Sequence, residues 1–257
     1  MNLFSDNLVK QLERLRVQEF EYIVIYSDFR ALGRMRHPDQ TKSEFLESIL
    51  NSFCELGLTA IVPTYSYTSS GIFDPSINRS NVGALSSFIS NHPKASRSEH
   101  PIFSYAALGP KQNIVFDIGK EAFGKNSIYA RLLSEHVCFL HLGRPVELGN
   151  TLLHFVEKEH NVPYRFEKKF PTQVYRGKRF IGNDYSAYVR RLDNPSNDYH
   201  FSFKLAAQDL YSHQMIREHD MGGDYSKISI ISFSETYRIL VNGLYQNPNY
   251  FLEKDYT

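Results

Sequence analysis

The hydrophobic positions alternate between strand-like runs and helix-like spacings along most of the chain, which is typical of an α/β protein. Continuous apolar runs predict strands that are buried on both faces, because a half-exposed strand would carry a polar residue at every second position. The predicted strands lie at 22–26, 58–62, 137–142 and 227–233, with a further strand or packed segment at 102–109.

Between these runs, apolar residues recur at the spacing of one helix face. No segment has the composition of a linker, so we predict one domain spanning residues 1–257, in which helices flank a central mixed sheet. The predicted helices cover about 6–17, 41–56, 82–90, 127–135, 203–214 and 234–246, and another begins at Asn150 or Thr151.

Two stretches depart from this alternation. Residues 65–101 are rich in Ser, Asn, Gly and Pro and predict a long excursion from the sheet, and excursions of that length often carry function. Residues 170–192 alternate aromatic side chains with Arg and Lys, which favours antiparallel strands or a hairpin. The predicted fold class is therefore α/β with an antiparallel extension in the C-terminal part of the chain.

The charge balance argues against a protein that binds nucleic acid through a general excess of cations. The 257 residues carry 29 Lys and Arg against 28 Asp and Glu, whereas a generic nucleic-acid binder needs an excess of cations to displace phosphate counterions. No window approaches the ~20 apolar residues of a membrane span and the N-terminus lacks a signal-peptide pattern, so we expect a cytoplasmic protein.

Cys54 and Cys138 lie in apolar contexts and are expected to be reduced core residues. They are too few for a four-thiolate metal site, and we expect no bound metal.

The sharpest chemical candidate is the predicted helix that contains His154 and Glu157. Residues three apart share a helix face, so the two side chains are expected to touch. A carboxylate beside an imidazole fixes its tautomer and stabilises its protonated form, as a general base requires. An ordinary surface ion pair has the same spacing and stays an alternative. A zinc site is a weaker hypothesis because the HExxH arrangement is absent.

Small polar residues and glycines follow the first two predicted strands and the end of the excursion. In open α/β sheets, ligands bind at the carboxyl ends of strands, and such residues leave backbone amides open to phosphate or pantetheine groups. Singly, each of these turns is a weak signal. They contain Ser27, Asp28 and Gly33 after the first strand, Thr64 and Tyr65 after the second, and Ser98 and Ser104 at the end of the excursion.

Taken in order along the chain, these features resemble the aminoglycoside 3-N-acetyltransferase family, which has the antibiotic N-acetyltransferase fold. The resemblance covers residues 20 to 160 well. It rests on the motif Arg97-Ser98-x-His100-Pro101-x-x-Ser104 followed by Thr151-x-x-His154-x-x-Glu157.

The resemblance implies that acetyl-CoA is the co-substrate and that its acetyl group passes to an amine of an amino sugar. It makes His154 the base that removes a proton from the acceptor amine, and Glu157 the acid that orients and charge-balances His154. The chemistry agrees with these roles, because a sugar ammonium cannot attack a thioester until a base frees the amine. On the CoA side the resemblance implies contacts from Ser27, Gly33, Thr64, Ser98 and Ser104.

The first turn departs from the family pattern. Members commonly read His-Ser-Ser-Leu there, whereas this chain has Tyr26-Ser27-Asp28-Phe29. Asp28 would bring negative charge close to anionic CoA. We therefore expect either that Asp28 faces the acceptor, together with Tyr65 and Arg190, or that the CoA contacts are rearranged.

Two kinds of acceptor and two other function classes stay open. A polycationic antibiotic needs an acidic pocket, but residues 165–225 carry many Arg and Lys, which suit an amino sugar that bears phosphate on a nucleotide, a lipid or a growing cell-surface glycan. One other class is a hydrolase built on Ser27 or Cys138 with His154, which is disfavoured because neither lies in a GxSxG turn. The other is a catalytically silent binding module. The sequence does not predict the oligomeric state.

Overall fold

The structure is a computed structural model that describes residues 3–192, 200–220 and 227–254. None of the helices in these ranges is both long and apolar enough to cross a membrane. The helices are α1 (Leu3–Arg14), α2 (Phe29–Leu32), α3 (Lys42–Glu55), α4 (Ala84–Ser90), α5 (Ile128–Leu132), α6 (Leu152–Glu159), α7 (Lys204–Ser212) and α8 (Phe233–Gln246). The strands are β1 (Tyr22–Ser27), β2 (Thr59–Pro63), β3 (Ile72–Phe73), β4 (Ser96–Arg97), β5 (Tyr105–Leu108), β6 (Val137–Leu142), β7 (Arg165–Lys169), β8 (Gln173–Arg176), β9 (Arg179–Gly182), β10 (Ser186–Arg190), β11 (Ile216–Asp220) and β12 (Lys227–Ser232).

A seven-stranded mixed sheet in the order β11-β12-β6-β1-β2-β5-β4 forms the centre of the molecule. The three central strands β6, β1 and β2 run parallel. β12 pairs antiparallel with β6 on one side, and β5 pairs antiparallel with β2 on the other. The predicted mixed α/β class is therefore confirmed, and so are the strands predicted from apolar runs.

Alternate residues of the central strands pack against helices on opposite faces of the sheet. In β1, Tyr22 and Val24 join a cluster with α5, α6, α7 and α8, whereas Ile23 and Ile25 join a second cluster with α1, α3 and α4. Burying one aliphatic side chain contributes roughly 1.5–3 kcal/mol, so these two clusters supply the main stabilisation of the fold.

The helix α3 begins at a capping box. The Thr41 hydroxyl accepts a hydrogen bond from the Glu44 amide, and the Glu44 carboxylate accepts one from the Thr41 amide. Both cysteines are free, but Cys54 is exposed near the end of α3, so its predicted core position is wrong. The reason is helical geometry, because Phe53 faces the core and the next residue is turned about 100° away from it.

Two small sheets lie beside the central one. β8 and β9 form an antiparallel hairpin, β8 also pairs parallel with β3, and β10 pairs antiparallel with β7. The antiparallel strands predicted at 170–192 are therefore confirmed. The hydrophobic pattern does not predict β7 or β11, because these strands carry mostly polar side chains and lie at sheet edges.

The carboxyl end of β1 meets the start of α6. The Thr151 amide donates to the Tyr26 hydroxyl at 3.1 Å. The side-chain oxygen of Asn150 accepts from the Leu152 amide at 3.1 Å, so Asn150 rather than Thr151 supplies the side-chain cap. These contacts fix the first turn of α6 against the sheet, and α6 carries the candidate His154 and Glu157.

Candidate active site

His154 and Glu157 form a hydrogen-bonded pair on one face of α6. Nδ1 of His154 lies 2.7 Å from Oε2 of Glu157. The side chain of Glu157 is 1% exposed and that of His154 is 22% exposed, so the pair lies at the edge of the interior rather than on the surface. This burial excludes the alternative of an ordinary surface ion pair.

The environment keeps the imidazole neutral and the carboxylate charged. Burial lowers the pKa of His154 below its ordinary value and the Arg165 cation lowers it further, although Glu157 opposes both effects. Burial raises the pKa of Glu157, but the hydrogen bond from His154 and the charge of Arg165 bring it below its ordinary value. Because an ionised carboxylate only accepts hydrogen bonds, Nδ1 carries the proton and Nε2 of the neutral ring carries a lone pair. A lone pair at Nε2 is what a general base requires.

Arg165 joins this pair from outside the sequence motif. It is the first residue of β7, and its Nε lies 2.7 Å from Oε2 of Glu157, the oxygen that His154 also contacts. Its side chain is 11% exposed, so the cation is largely removed from water. Sequence reasoning misses this contact, since Arg165 reaches Glu157 only because the chain reverses between α6 and β7.

Two phenylalanine rings flank the imidazole. The ring centroid of Phe123 lies 5.4 Å from that of His154, and that of Phe201 lies 6.4 Å away, both in edge-on arrangements. Packing on two sides restricts rotation of the imidazole and so preserves its hydrogen bond to Glu157.

A chain of hydroxyl groups lies beside the start of α6. Thr151 Oγ1 accepts hydrogen bonds from the hydroxyls of Tyr26 at 3.2 Å and Tyr65 at 3.0 Å. The Tyr65 hydroxyl also contacts that of Tyr105, which in turn contacts that of Tyr129. Burial raises the pKa of all four phenols, so they stay protonated. The sequence singles out only Tyr65, as an acceptor contact, whereas the structure places its hydroxyl inside this network.

The hydroxyls of Thr64, Ser98 and Ser104, which the resemblance assigns to CoA, are buried inside the protein. Arg97 donates to the Thr64 hydroxyl at 3.1 Å, to the Thr64 carbonyl at 2.7 Å and to the Ser104 hydroxyl at 3.1 Å. The Ser98 hydroxyl accepts from the Tyr105 amide at 2.8 Å. These contacts fix the excursion in place, and the contact of the three residues with CoA stays a prediction.

His100 of the same motif also holds the excursion in place. Its Nδ1 accepts from the amides of Ile102 at 3.1 Å and Phe103 at 3.0 Å, and its Nε2 lies 3.0 Å from the Ser186 carbonyl in β10. Burial lowers the pKa of His100 to about 4, so the ring is neutral and Nε2 donates to that carbonyl. The motif thus ties the excursion to β10.

Replacing Arg97 by Met is expected to destabilise the fold by about 2–3 kcal/mol. Arg97 also donates to the carbonyl oxygens of Pro75 and Asn78 in the excursion, so the change leaves buried acceptors without a donor. Equilibrium urea unfolding measures the effect. Lys94→Met, which removes an exposed cation nearby, is the matched control and should change stability by less than about 0.5 kcal/mol. Equal stability of Arg97→Met and the parent protein would contradict this role.

The remaining sequence-predicted residues lie near the surface. Ser27 is the last residue of β1, one residue beyond the predicted end of the strand, and Gly33 follows α2 in the segment after it. Asp28 caps α2 by accepting from the Arg30 amide at 2.9 Å, and the Arg30 guanidinium pairs with its carboxylate at 2.7 Å and lowers its pKa. The negative charge of Asp28 is therefore offset locally. Arg190 is exposed on β10, paired in register with Arg165 on β7.

Cys138, one of the two candidate nucleophiles of the hydrolase alternative, is unsuited to that role. Cys138 is fully buried in β6, and burial raises the pKa of its thiol, so a thiolate does not form there at neutral pH. Within the described ranges, no group of three or more His, Cys, Asp and Glu is arranged to hold a metal ion.

Comparisons with known proteins identify the family. The model of the aminoglycoside 3-N-acetyltransferase family matches residues 55–244. No curated protein sequence gives a significant match. The match spans most of the chain and includes the His154–Glu157 pair together with every member of the hydroxyl network except Tyr26.

Solved structures share the fold over nearly the full chain. A histidine-to-alanine mutant of AAC(3)-IVa in complex with a gentamicin is 22% identical, covering 97% of this chain and 91% of that chain with a TM-score of 0.74. AAC-VIa bound to sisomicin is 18% identical, covering 95% and 97% with a TM-score of 0.75. AAC-IIIb in a binary complex with CoASH is 18% identical, covering 98% of both chains with a TM-score of 0.74. With the family model matched over most of its length, the chain belongs to the aminoglycoside 3-N-acetyltransferase family, a family of acetyl-CoA-dependent N-acetyltransferases.

Proposed function

We propose that this protein transfers the acetyl group of acetyl-CoA to an amine of an amino sugar, with His154 as the general base. The observation that carries the proposal is the neutral, largely buried imidazole whose Nδ1 is held by Glu157 at 2.7 Å. That arrangement leaves Nε2 as the basic atom. Family membership supports the reaction type, and the pair supports the way in which it is catalysed.

The proposed reaction needs one proton to move through His154. Nε2 accepts a proton from the acceptor ammonium, the freed amine nitrogen attacks the thioester carbonyl, and the nitrogen releases a second proton to solvent when the amide forms. The new C–N bond forms, the C–S bond breaks, and the imidazolium returns its proton to the departing CoA sulfur. Glu157 stabilises the imidazolium while it exists, because its negative charge lies against Nδ1–H. No covalent enzyme intermediate is needed.

We propose Thr151 as the donor that stabilises the negative charge developing on the thioester oxygen. Thr151 lies one helical turn before His154, so the two side chains share a face of the site. Its oxygen accepts from both Tyr26 and Tyr65, so its own hydrogen is available to a third group. Two incoming hydrogen bonds also polarise the Thr151 O–H bond and make it a stronger donor.

Thr151→Val is expected to lower kcat by roughly 100-fold, at the lower end of the loss seen when an oxyanion donor is removed. Thr151→Ser keeps the hydroxyl and should retain most of the activity. Steady-state acetyl transfer at saturating acetyl-CoA distinguishes them. If Val and Ser variants have equal kcat, the hydroxyl is not a donor in the reaction.

We propose that the turn after β1 holds the phosphates of CoA. Arg34 and Arg36 lie close to Gly33 in the segment that follows Ser27 at the end of β1, and guanidinium groups bind phosphate well. Asp28 is compatible with this role because its carboxylate is already paired with Arg30 at 2.7 Å. The CoASH complex of the AAC-IIIb enzyme supports a CoA site in this fold.

The acceptor is proposed to be an aminoglycoside or an amino sugar that carries phosphate. Related structures contain sisomicin and a gentamicin, which favours an aminoglycoside. Residues 165–191, however, carry eight Lys and Arg against two Asp and Glu, and that excess favours an anionic carrier such as a nucleotide, a lipid phosphate or a cell-surface glycan precursor. The dependence of KM on salt concentration tests for a phosphate-bearing acceptor.

The experiment that tests the function is release of free thiol from acetyl-CoA in the presence of a panel of aminoglycosides and nucleotide-linked amino sugars. We expect at least one amine to accelerate release, with formation of an N-acetylated product. For a phosphate-bearing acceptor, KM should rise with salt and rise further in Arg190→Met, because screening weakens the attraction to exposed cations. Failure of every amine in both groups to accelerate thiol release would contradict the proposed function.

A further inference from the structure

We infer that Arg165 is a positioning residue that sets the protonation state of the base, so that the catalytic unit is an Arg–Glu–His triad. The inference rests on the proposed role of His154. It assigns a function to a residue that lies beyond the motif Thr151-x-x-His154-x-x-Glu157 and enters from a different element of the fold.

The geometry shows two nitrogen atoms converging on one carboxylate oxygen. Oε2 of Glu157 lies 2.7 Å from Nδ1 of His154 and 2.7 Å from Nε of Arg165. The carboxylate is fully buried, so its charge must be balanced by groups of the protein rather than by water. With Arg165 present, that balance is provided without protonating His154.

Arg165 and Glu157 act on the imidazole in opposite directions. A carboxylate alone would favour the imidazolium, because opposite charges attract at short range. The guanidinium offsets this attraction and adds repulsion of its own, so it disfavours the imidazolium. A base that is to accept a proton from an ammonium at neutral pH must start unprotonated, and Arg165 secures that starting state.

The fold holds Arg165 in this place through β7 and the turn before it. The Arg165 amide donates to the Val162 carbonyl at 3.4 Å, and its Nη1 lies 3.5 Å from the Tyr188 carbonyl on β10. The register of β7 and β10 pairs Arg165 with Arg190. The guanidinium therefore has a backbone anchor on the neighbouring strand besides its contact with Glu157.

The same strand offers a matched control. Successive residues of a strand point to opposite faces, so Lys168 lies on the other face of β7 from Arg165. Lys168 is exposed, and its ammonium lies 5.8 Å from the ring centroid of Phe170. Replacing Lys168 by Met removes the same charge from β7 without touching Glu157.

The test compares Arg165→Met, Arg165→Lys and Lys168→Met by two readouts. The first is the pKa of the His154 imidazole, followed by NMR titration of histidine-labelled protein, with the His154→Ala spectrum as the assignment. The second is the pH dependence of kcat for acetyl transfer. In Arg165→Met we expect the His154 pKa and the acid limb of kcat to rise together by about one unit. Arg165→Lys should shift both by less in the same direction, and Lys168→Met should shift neither.

The two readouts separate this inference from the proposed function. An unchanged His154 pKa in Arg165→Met, or an equal shift in Lys168→Met, overturns the inference even if acetyl transfer proceeds. A lower kcat with no movement of the acid limb also overturns it, because a merely structural role would produce that result. If Arg165→Met does not fold, the same criteria apply to Arg165→Lys. A raised pKa without acetyl transfer in any protein, parent included, supports the electrostatic role and contradicts the proposed function instead.

Discussion

Replacing His154 by alanine is expected to lower kcat for acetyl transfer by about 10³-fold, the central value for loss of a positioned general base. In the proposed reaction the imidazole frees the acceptor amine. Glu157 contacts the imidazole and Arg165 contacts Glu157, but neither can take the place of the imidazole. Binding of CoA should be little affected, because the proposed CoA cations lie in the turn after β1. Steady-state kinetics and calorimetric titration with CoA measure the two quantities.

The control for this change is His160→Ala. His160 lies just after the end of α6, is exposed, and has no role in the proposed reaction. It should keep kcat close to that of the parent protein. Parent-like activity in His154→Ala would remove the general base from the account.

The pH dependence of kcat is a second test of His154 as the general base. Burial lowers the pKa of His154 below its ordinary value, and the base works only when unprotonated. The kcat of the parent protein should therefore not be limited by protonation of His154 at neutral pH, and it should fall as the pH drops through that lowered pKa. This acid limb should be absent in His154→Ala.

Replacing Glu157 by Gln is expected to have a comparably large effect, about 10³-fold in kcat, which is below the loss of about 10⁴-fold seen when the carboxylate of a Ser-His-Asp triad becomes an amide. An amide cannot stabilise the imidazolium that forms during transfer. The substitution also removes the group that raises the pKa of His154, so the acid limb should move to lower pH. These two effects have one cause, the missing negative charge at Nδ1.

The same substitution should weaken the fold. Arg165 would lose the carboxylate that it contacts at 2.7 Å while staying largely buried, and such a loss costs about 3 kcal/mol. In the parent protein the pKa of Glu157 is lowered, so its contribution is present above the unfolded-state pKa near 4.5 and is lost as the pH falls through the folded-state value. Urea unfolding at neutral and at acidic pH measures this contribution. The difference in the free energy of unfolding between Glu157→Gln and the parent should be larger at neutral pH.

Glu159→Gln is the matched control on the same helix. Glu159 is exposed and accepts a hydrogen bond from Tyr237 at its surface. It should change neither kcat nor the acid limb. An acid limb that moves upward in Glu157→Gln would contradict the proposed electrostatics, whatever the size of the loss in kcat.

The parts of the fold that the sequence predicts are those that local patterns determine. The apolar run of β6 is visible because the strand is buried on both faces, and α3 is visible because its apolar residues recur at the spacing of one helix face. The contact between His154 and Glu157 is of the same kind, since three residues of helix bring them together.

The parts that the sequence does not predict depend on contacts between distant elements. Tyr26, Tyr65, Tyr105 and Tyr129 come from four separate segments, and only the folded sheet brings their hydroxyls to Thr151 and to one another. A single sequence carries no signal for such convergence.

The motif containing Ser98 and Ser104 shows that a single sequence does not predict burial. A hydroxyl at the end of a long excursion suggests a ligand contact, but the sequence does not state its burial. Here both side chains are buried, and Ser104 bonds to Arg97 at 3.1 Å. Arg97 has no carboxylate among these partners and is satisfied by hydroxyls and backbone carbonyls instead, which explains why the motif needs small polar residues.

Product analysis is the sharpest test of the proposal that this protein moves an acetyl group from acetyl-CoA to an amine with His154 as the base. The accepted amine of the panel is incubated with acetyl-CoA and either the parent protein or His154→Ala, and the products are identified by mass spectrometry and NMR alongside the free thiol. We expect one acetyl group on a nitrogen of the amino sugar for each thiol released by the parent, and a loss of about 10³-fold in both products for His154→Ala. Thiol release without an N-acetylated product, or equal product from both proteins, would contradict it.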